Sequence, residues 1–229
     1  MKTLKVIVLG ILAFIGCLYV IYPFGAWNYR MTINVETPEG IKTGSVVREV
    51  YVATGPDLLP QAHSYVRVKG EAVVIDLGPR GLLFAIMRND TLGVDYGKNV
   101  FLSMFGKHGY NGSTTPTGVW HLNVLSLLKS GTTKQLEPDY FPILVRFRDI
   151  NDPKSVERVD PNNLAATFGE GVKLASAIIE ITDEPVTTGI ENNLPFFKKG
   201  SGFPEWRKSL PYGHPLTYDY EDFRIGNTQ

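Results

Sequence analysis

Met31-Thr32-Ile33-Asn34-Val35-Glu36, running into Thr37-Pro38-Glu39-Gly40, is the stretch that decides how this chain folds. Met31, Ile33 and Val35 alternate with polar residues, the period-2 pattern of a strand that buries one face. In the four residues that follow, Pro38 presets φ for the second position of a turn and Gly40 tolerates a left-handed one. A valine-rich return over residues 45–52 then predicts an antiparallel hairpin.

Further along, residues 65–68 and 72–77 read as a second hairpin about Lys69-Gly70-Glu71. Gly78-Pro79-Arg80-Gly81 turns the chain into Leu82-Leu83-Phe84-Ala85-Ile86-Met87, an unbroken apolar run suited to a strand buried on both faces. Val94, Phe101, Met104 and Phe105 have helical spacing, and Gly106 would stop that helix. Residues 119–128 fit strand or helix. Residues 142–148 alternate as a strand, with Arg146 and Arg148 on its outer face and available to the acids Glu180, Asp183 and Glu184. Asp160-Pro161-Asn162-Asn163-Leu164 predicts a short helix with Asp160 as N-cap, Pro161 at its first position and Gly169 at its end. Residues 172–182 make a last long strand. The sum is about eight short strands with one or two short helices, a mainly β chain. An antiparallel sandwich or a partly closed barrel is the expected architecture.

Upstream of the hairpin the pattern is different. Lys2 and Lys5 precede an uncharged run over residues 6–26, long enough as a helix to cross the roughly 30 Å of a bilayer core. Tyr19, Tyr22, Phe24, Trp27 and Tyr29 resemble an interfacial aromatic belt, and the lysines put the N-terminus in the cytoplasm with the rest of the chain outside. An uncleaved transmembrane signal anchor is the leading expectation. Phe14-Ile15-Gly16-Cys17 also has the look of a degenerate lipobox, so a lipoprotein anchored at Cys17 is the alternative, with simple cleavage a third. The chain therefore divides into an anchor (1–28), a β-rich extracytoplasmic domain (29–192) and a Pro- and aromatic-rich arm (193–229).

Acidic and basic residues balance at 23 each, and no basic block is interleaved with aromatics, so nucleic acid is not an expected partner. Cys17, the single cysteine, leaves the domain without a disulfide or a thiolate metal site. His63, His108, His121 and His214 stand at no metal-ligand spacing, and no hydrolase elbow or phosphate loop occurs. No cofactor is expected. The loop Lys107-His108-Gly109-Tyr110-Asn111-Gly112-Ser113 reads first as a solvent loop and second as the lip of a hydrolase site built on His108 and Ser113. Asp149, Asp152 and Asp160 could gather oxygen ligands for a cation, but Asx-turn chemistry before Pro153 explains the same residues more cheaply, so no metal site is expected. Trp206, Arg207, Tyr212 and Tyr218 lie in the proline-stiffened arm and are the expected binding residues, because Trp, Tyr and Arg dominate interface hot spots. A strap lying over its own domain is the competing reading of that arm.

Three segments carry a resemblance: Phe147-Arg148-Asp149-Ile150-Asn151-Asp152-Pro153-Lys154-Ser155-Val156, Val159-Asp160-Pro161-Asn162-Asn163-Leu164-Ala165-Ala166, and Glu180-Ile181-Thr182-Asp183-Glu184-Pro185-Val186-Thr187-Thr188-Gly189. Together with the anchor and the Thr-Pro-Glu-Gly hairpin they resemble uncharacterised membrane-anchored envelope proteins of Gram-negative bacteria. That resemblance implies a location and a single domain, and no reaction. The expectation is a membrane-anchored periplasmic interaction module that binds another envelope protein or joins a membrane complex. An enzyme is the less favoured reading.

Overall fold

The computed structural model describes residues 2–21, 24–53, 65–106, 125, 127–198 and 218–226. In chain order the elements are α1 (Lys2–Ile21), β1 (Phe24–Thr37), β2 (Gly40–Ala53), β3 (Tyr65–Glu71), β4 (Val73–Asp76), β5 (Leu82–Ala85), α2 (Tyr96–Phe105), β6 (Thr133–Gln135), β7 (Leu144–Phe147), β8 (Val156–Val159), α3 (Ala165–Phe168), β9 (Lys173–Thr182), α4 (Tyr220–Phe223) and β10 (Arg224–Ile225). The strands form two antiparallel sheets, one in the order β10-β3-β2-β1-β9-β6 and one in the order β4-β5-β7-β8.

The first hairpin is the spine. β1 and β2 pair from Phe24 with Ala53 to Thr37 with Gly40. The turn is a two-residue loop, Pro38-Glu39, closed by Gly40 at φ +117° and by the Thr37 hydroxyl donating to the Gly40 carbonyl at 2.7 Å. Tyr29, Met31, Ile33 and Val35 on β1 meet Val73 and Ile75 of β4, Leu83 and Ala85 of β5 and Leu144 of β7 in one core between the sheets. β9 joins from the other side of β1 with Ala177, Ile179 and Ile181. Leu174 packs on the same core although it is five residues before Ile179. A strict two-residue period would put it outside, and the register shift opposite Asn34/Val35 restores its inward direction.

Leu83 to Met87 are all buried, and the alternation splits them between two cores. Leu83 and Ala85 face the main core, whereas Phe84 and Ile86 face a second one with Val145, Val156 and Ile143. That outer face of the four-stranded sheet is roofed by Ile190, Leu194, Phe196, Phe197, Tyr218 and Phe223. The described ends of the C-terminal arm therefore lie over their own domain. Backbone bonds fasten it: the Ala72 amide donates to the Phe223 carbonyl at 2.8 Å and the Met87 amide to that of Asp222 at 2.6 Å. β10 then pairs with the edge of β3.

Several local expectations change in the folded chain. Lys69-Gly70-Glu71 is no turn; β3 runs through it, and the chain passes at Ala72 into the other sheet. Gly70 is needed there because a Cβ would lie 2.6 Å from Cγ of the buried Arg48, a packing demand that mimics a turn signal in the sequence. Asp160 does not cap α3: its carboxylate accepts from the Asn162 amide at 2.8 Å, the helix is one turn long, and only the closing Gly169, at φ +97°, is as expected. Arg146 and Arg148 bind Glu157 on the neighbouring β8, while Glu180 and Glu184 hold Arg30. Sheet neighbours win these pairings because residues directly across a ladder are closest. Tyr29, read as part of an interfacial belt, is a core residue of β1: its ring stacks on Phe101 with centroids 5.6 Å apart, and the partly buried Trp27 packs against the same phenyl ring. The predicted helix before Gly106 does form, as α2, and closes one end of the main core with Tyr96, Val100, Phe101 and Phe105. Of residues 119–128, only 125, 127 and 128 lie within the described residues.

Three buried phenols give a pH-dependent signature. The Tyr29 hydroxyl donates to the Gly97 carbonyl at 2.6 Å and that of Tyr96 to the Tyr140 carbonyl at 2.9 Å. Burial pushes both phenols up, against the pull of the nearby Arg48 guanidinium. Tyr218 is pushed up to about 12, chiefly by burial, with Arg158 opposing. Because an unfolded tyrosine ionises near pH 10, the folded chain holds more protons than the unfolded one above that pH. Stability is complete below pH 10 and falls as pH rises through 12. We expect a phenolate absorbance titration to show a group of tyrosines silent until the domain unfolds, and a smooth titration of every tyrosine near pH 10 would contradict the burial.

α1 stands apart in character. Its side chains over residues 4–16 are all exposed, and Leu4, Val6, Ile7, Val8, Leu9, Ile11, Leu12, Phe14 and Ile15 are among them. Among the described residues no helix is long and apolar enough to cross a membrane.

Candidate functional site

A hollow of about 540 Å³ opens where the C-terminal segment returns to the domain. β3 supplies one wall with Val66, Arg67 and Val68, and the start of α2 supplies a second with Val94, Asp95 and Lys98. Arg88, just beyond β5, stands opposite Asp219, Glu221, Asp222 and Ile225 of the returning segment. The local sequence accounts for this arrangement. α2 starts after Asp95, whose carboxylate pairs with Lys98 one turn on at 2.7 Å and whose carbonyl accepts from the Lys98 and Asn99 amides. Asp222 bends its own segment by accepting from the Asp219 amide at 2.6 Å, and it meets Arg88 at 3.4 Å.

Three basic side chains and four acidic ones thus line the cleft, Arg88 paired with Asp222 and Lys98 with Asp95. Its described lining holds no His, Cys, Ser or Thr. Such a surface can take a polar segment carrying charges of both signs, which would exchange its own groups for these pairs.

Behind the cleft, a buried ionic latch ties down the arm. Glu71 accepts from the Ile190 amide at 2.9 Å and from Arg224 Nε at 2.7 Å, and Arg224 also binds Glu191. Arg224 lies over the Phe197 ring, 5.8 Å from its centroid. One arginine therefore joins β3, the 190–198 segment and β10.

The sequence-predicted residues fall in three groups. Asp149, Asp152 and Asp160 each accept from a backbone amide two residues ahead, at 2.9, 2.9 and 2.8 Å, and so build turns. Among the described residues no three His, Cys, Asp or Glu side chains gather to hold a metal ion. Tyr218 is a core residue, fully buried on the four-stranded sheet, with its hydroxyl lacking a hydrogen bond among the described residues. His108, Ser113, Trp206, Arg207 and Tyr212 lie outside the described residues, as does the side chain of Cys17, whose backbone belongs to α1. The cleft itself went unread in the sequence. Its only local signal is the acid-rich Asp219-Tyr220-Glu221-Asp222, which stands at the end of an arm otherwise conspicuous for aromatics.

No family model, no curated protein and no solved structure matches the chain.

Proposed function

We propose that this chain is a single-pass, membrane-anchored interaction module of a bacterial envelope, with its N-terminus cytoplasmic and its two-sheet domain, a sandwich, on the periplasmic side. The observation that carries this reading is α1. Its apolar side chains at Val6, Ile7, Val8 and Leu9 are all exposed, and four consecutive helical positions cover the whole circumference. A helix that is apolar all round belongs in an apolar surrounding, which the described domain does not provide. The described side chains of α1 span thirteen residues, about 20 Å, whereas its backbone is helical for 20 residues, about 30 Å, the thickness of a hydrocarbon core. Lys2 and Lys5 favour the cytoplasmic side for its start. This is also the placement expected of the envelope proteins the chain resembles.

On this reading the partner is another envelope protein, bound at the mixed-charge cleft and by the arm residues Trp206, Arg207 and Tyr212 beside it in the chain. Tyr218, being core, holds the arm in place.

The anchor is tested by washing membranes at alkaline pH and by external protease on spheroplasts. The full chain is expected to stay in the pellet with its domain cut from outside, and a chain lacking residues 1–22 to appear in the soluble fraction. A full chain recovered freely soluble in the cytosol ends the proposal. For the cleft, a photo-crosslinker at Lys98 should give a discrete adduct that Arg88→Glu abolishes and that a crosslinker at Ile41, on the far hairpin end, does not give. Equal labelling from both positions would remove the cleft from the reading.

A further inference from the structure

Two large apolar side chains of the domain stand open to solvent near the start of β1 and before β6. Phe24 is 53% exposed, at the head of β1, and Leu127 is 75% exposed, in the turn that leads into β6. These two belong to one rim. The Gly131 amide donates to the Ile181 carbonyl and the Ile181 amide to that of Thr132, which docks the turn onto the end of β9, itself paired with Asn28 and Tyr29. Between them, Ala26, Trp27, Leu128 and Ser130 wall a shallow hollow of about 360 Å³. Phe24 is in ring contact with Tyr51 of β2, centroids 6.3 Å apart, so an amphipathic tyrosine completes the group.

We infer that this rim is a membrane-contact surface, with Phe24 and Leu127 entering the headgroup layer around the foot of α1. The inference rests on the anchor reading and extends it to the domain. Its argument is chain length. Phe24 is three residues after Ile21, and consecutive Cα atoms are 3.8 Å apart, so the two are at most about 11 Å from each other whatever the path between. Whatever medium surrounds the end of α1 therefore also reaches Phe24. Aromatic and aliphatic side chains with a polar neighbour are the groups that partition into a bilayer interface. The rim's charges name the kind of surface. Glu49 and Asp183 line the hollow, with the exposed Lys129 nearby, so the rim offers no excess of positive charge to anionic lipid. Apolar insertion drives the contact, and a zwitterionic bilayer suffices.

The test uses the full chain in phosphatidylcholine vesicles, with Cys17→Ala as background and one environment-sensitive fluorophore attached through Leu127→Cys, Ile11→Cys or Ile41→Cys. All three native side chains are exposed, so the substitutions leave packing intact. A lipid carrying a nitroxide at the headgroup or high on the acyl chain is the quencher. At position 127 fluorescence should fall at least twofold when nitroxide lipid is present, at position 11 it should fall with the acyl-chain probe, and at position 41 it should not change. Quenching at 11 but not at 127 overturns the rim and leaves the anchor standing. Quenching at none of the three overturns the anchor and the rim with it. Equal quenching at 127 and 41 also overturns the rim, since the whole domain would then lie on lipid.

Discussion

Replacing Glu71 by alanine is expected to destabilise the domain by about 3–5 kcal/mol, the usual cost of breaking a buried, hydrogen-bonded ion pair from one side. Glu71 is 2% exposed and Arg224 is largely covered by the arm. The alanine leaves the Ile190 amide without its acceptor and Arg224 with Glu191 as its carboxylate partner among the described residues. Since a domain has a total stability of about 5–15 kcal/mol, the loss is a large share of it. The effect should be local before it is global. Release of the latch frees β10 and the 190–198 segment, so Phe196, Phe197 and Phe223 lose their cover over Phe84 and Phe147. Denaturant titration together with limited proteolysis after residue 190 reads both consequences. Glu71→Gln, which keeps an acceptor for the Ile190 amide, should lose less. A Glu71→Ala protein within 1 kcal/mol of the parent, with the arm still protected, would show that the latch is not what holds the strap.

Gly44→Val is expected to cost about 3 kcal/mol or more, a severe case of overpacking. Gly44 lies in β2 directly under β4, where any Cβ would run into the Val74 carbonyl oxygen and come within 2.8 Å of Ile75 Cγ1. The obstacle is backbone of the opposing sheet, so no rotamer change can relieve it and the two sheets must separate. Gly44→Ala should already be clearly destabilising, and Thr43→Val, next to it on the exposed side, should stay within about 0.5 kcal/mol of the parent. Thermal or denaturant unfolding of the three variants decides the matter. Equal stability for Gly44→Val and Thr43→Val would refute the close approach of β2 and β4.

These two positions also show where local sequence reading stops. Met31, Ile33 and Val35 declare their strand because the period is written in consecutive residues, and Pro38 and Gly40 declare its turn because φ preference is a property of single residues. The two-sided burial of Leu82–Met87 was legible for the same reason: no polar residue interrupts it. Gly44, Gly70 and Arg48 could not be read this way. Gly70 looks like a turn residue and is in fact a gap cut for Arg48, whose charge gives no sign in the sequence that it would be buried. The bulge that turns Leu174 inward, and the choice of Glu157 over Glu180 by Arg146, depend on what the neighbouring strand offers.

The site follows the same division. The apolar helix is legible because its hydropathy is written in one continuous run of residues. The aromatic arm was visible as composition, but composition could not distinguish a partner's surface from the chain's own four-stranded sheet. Its described ends chose the sheet, because Phe84, Val145 and Phe147 leave an apolar outer face that those aromatics cover together with Ile190 and Leu194. The cleft needed β3, the head of α2 and the last acids of the chain brought together from residues 66 to 225. By itself, then, the sequence determined that this is a β-rich chain built on the residue 31–52 hairpin behind an apolar helix, since those are consequences of periodicity and hydropathy along the chain. Tertiary structure alone decided which sheet each strand joins, where the arm lies and which charges meet, because those are set by surfaces that exist only after distant segments have packed.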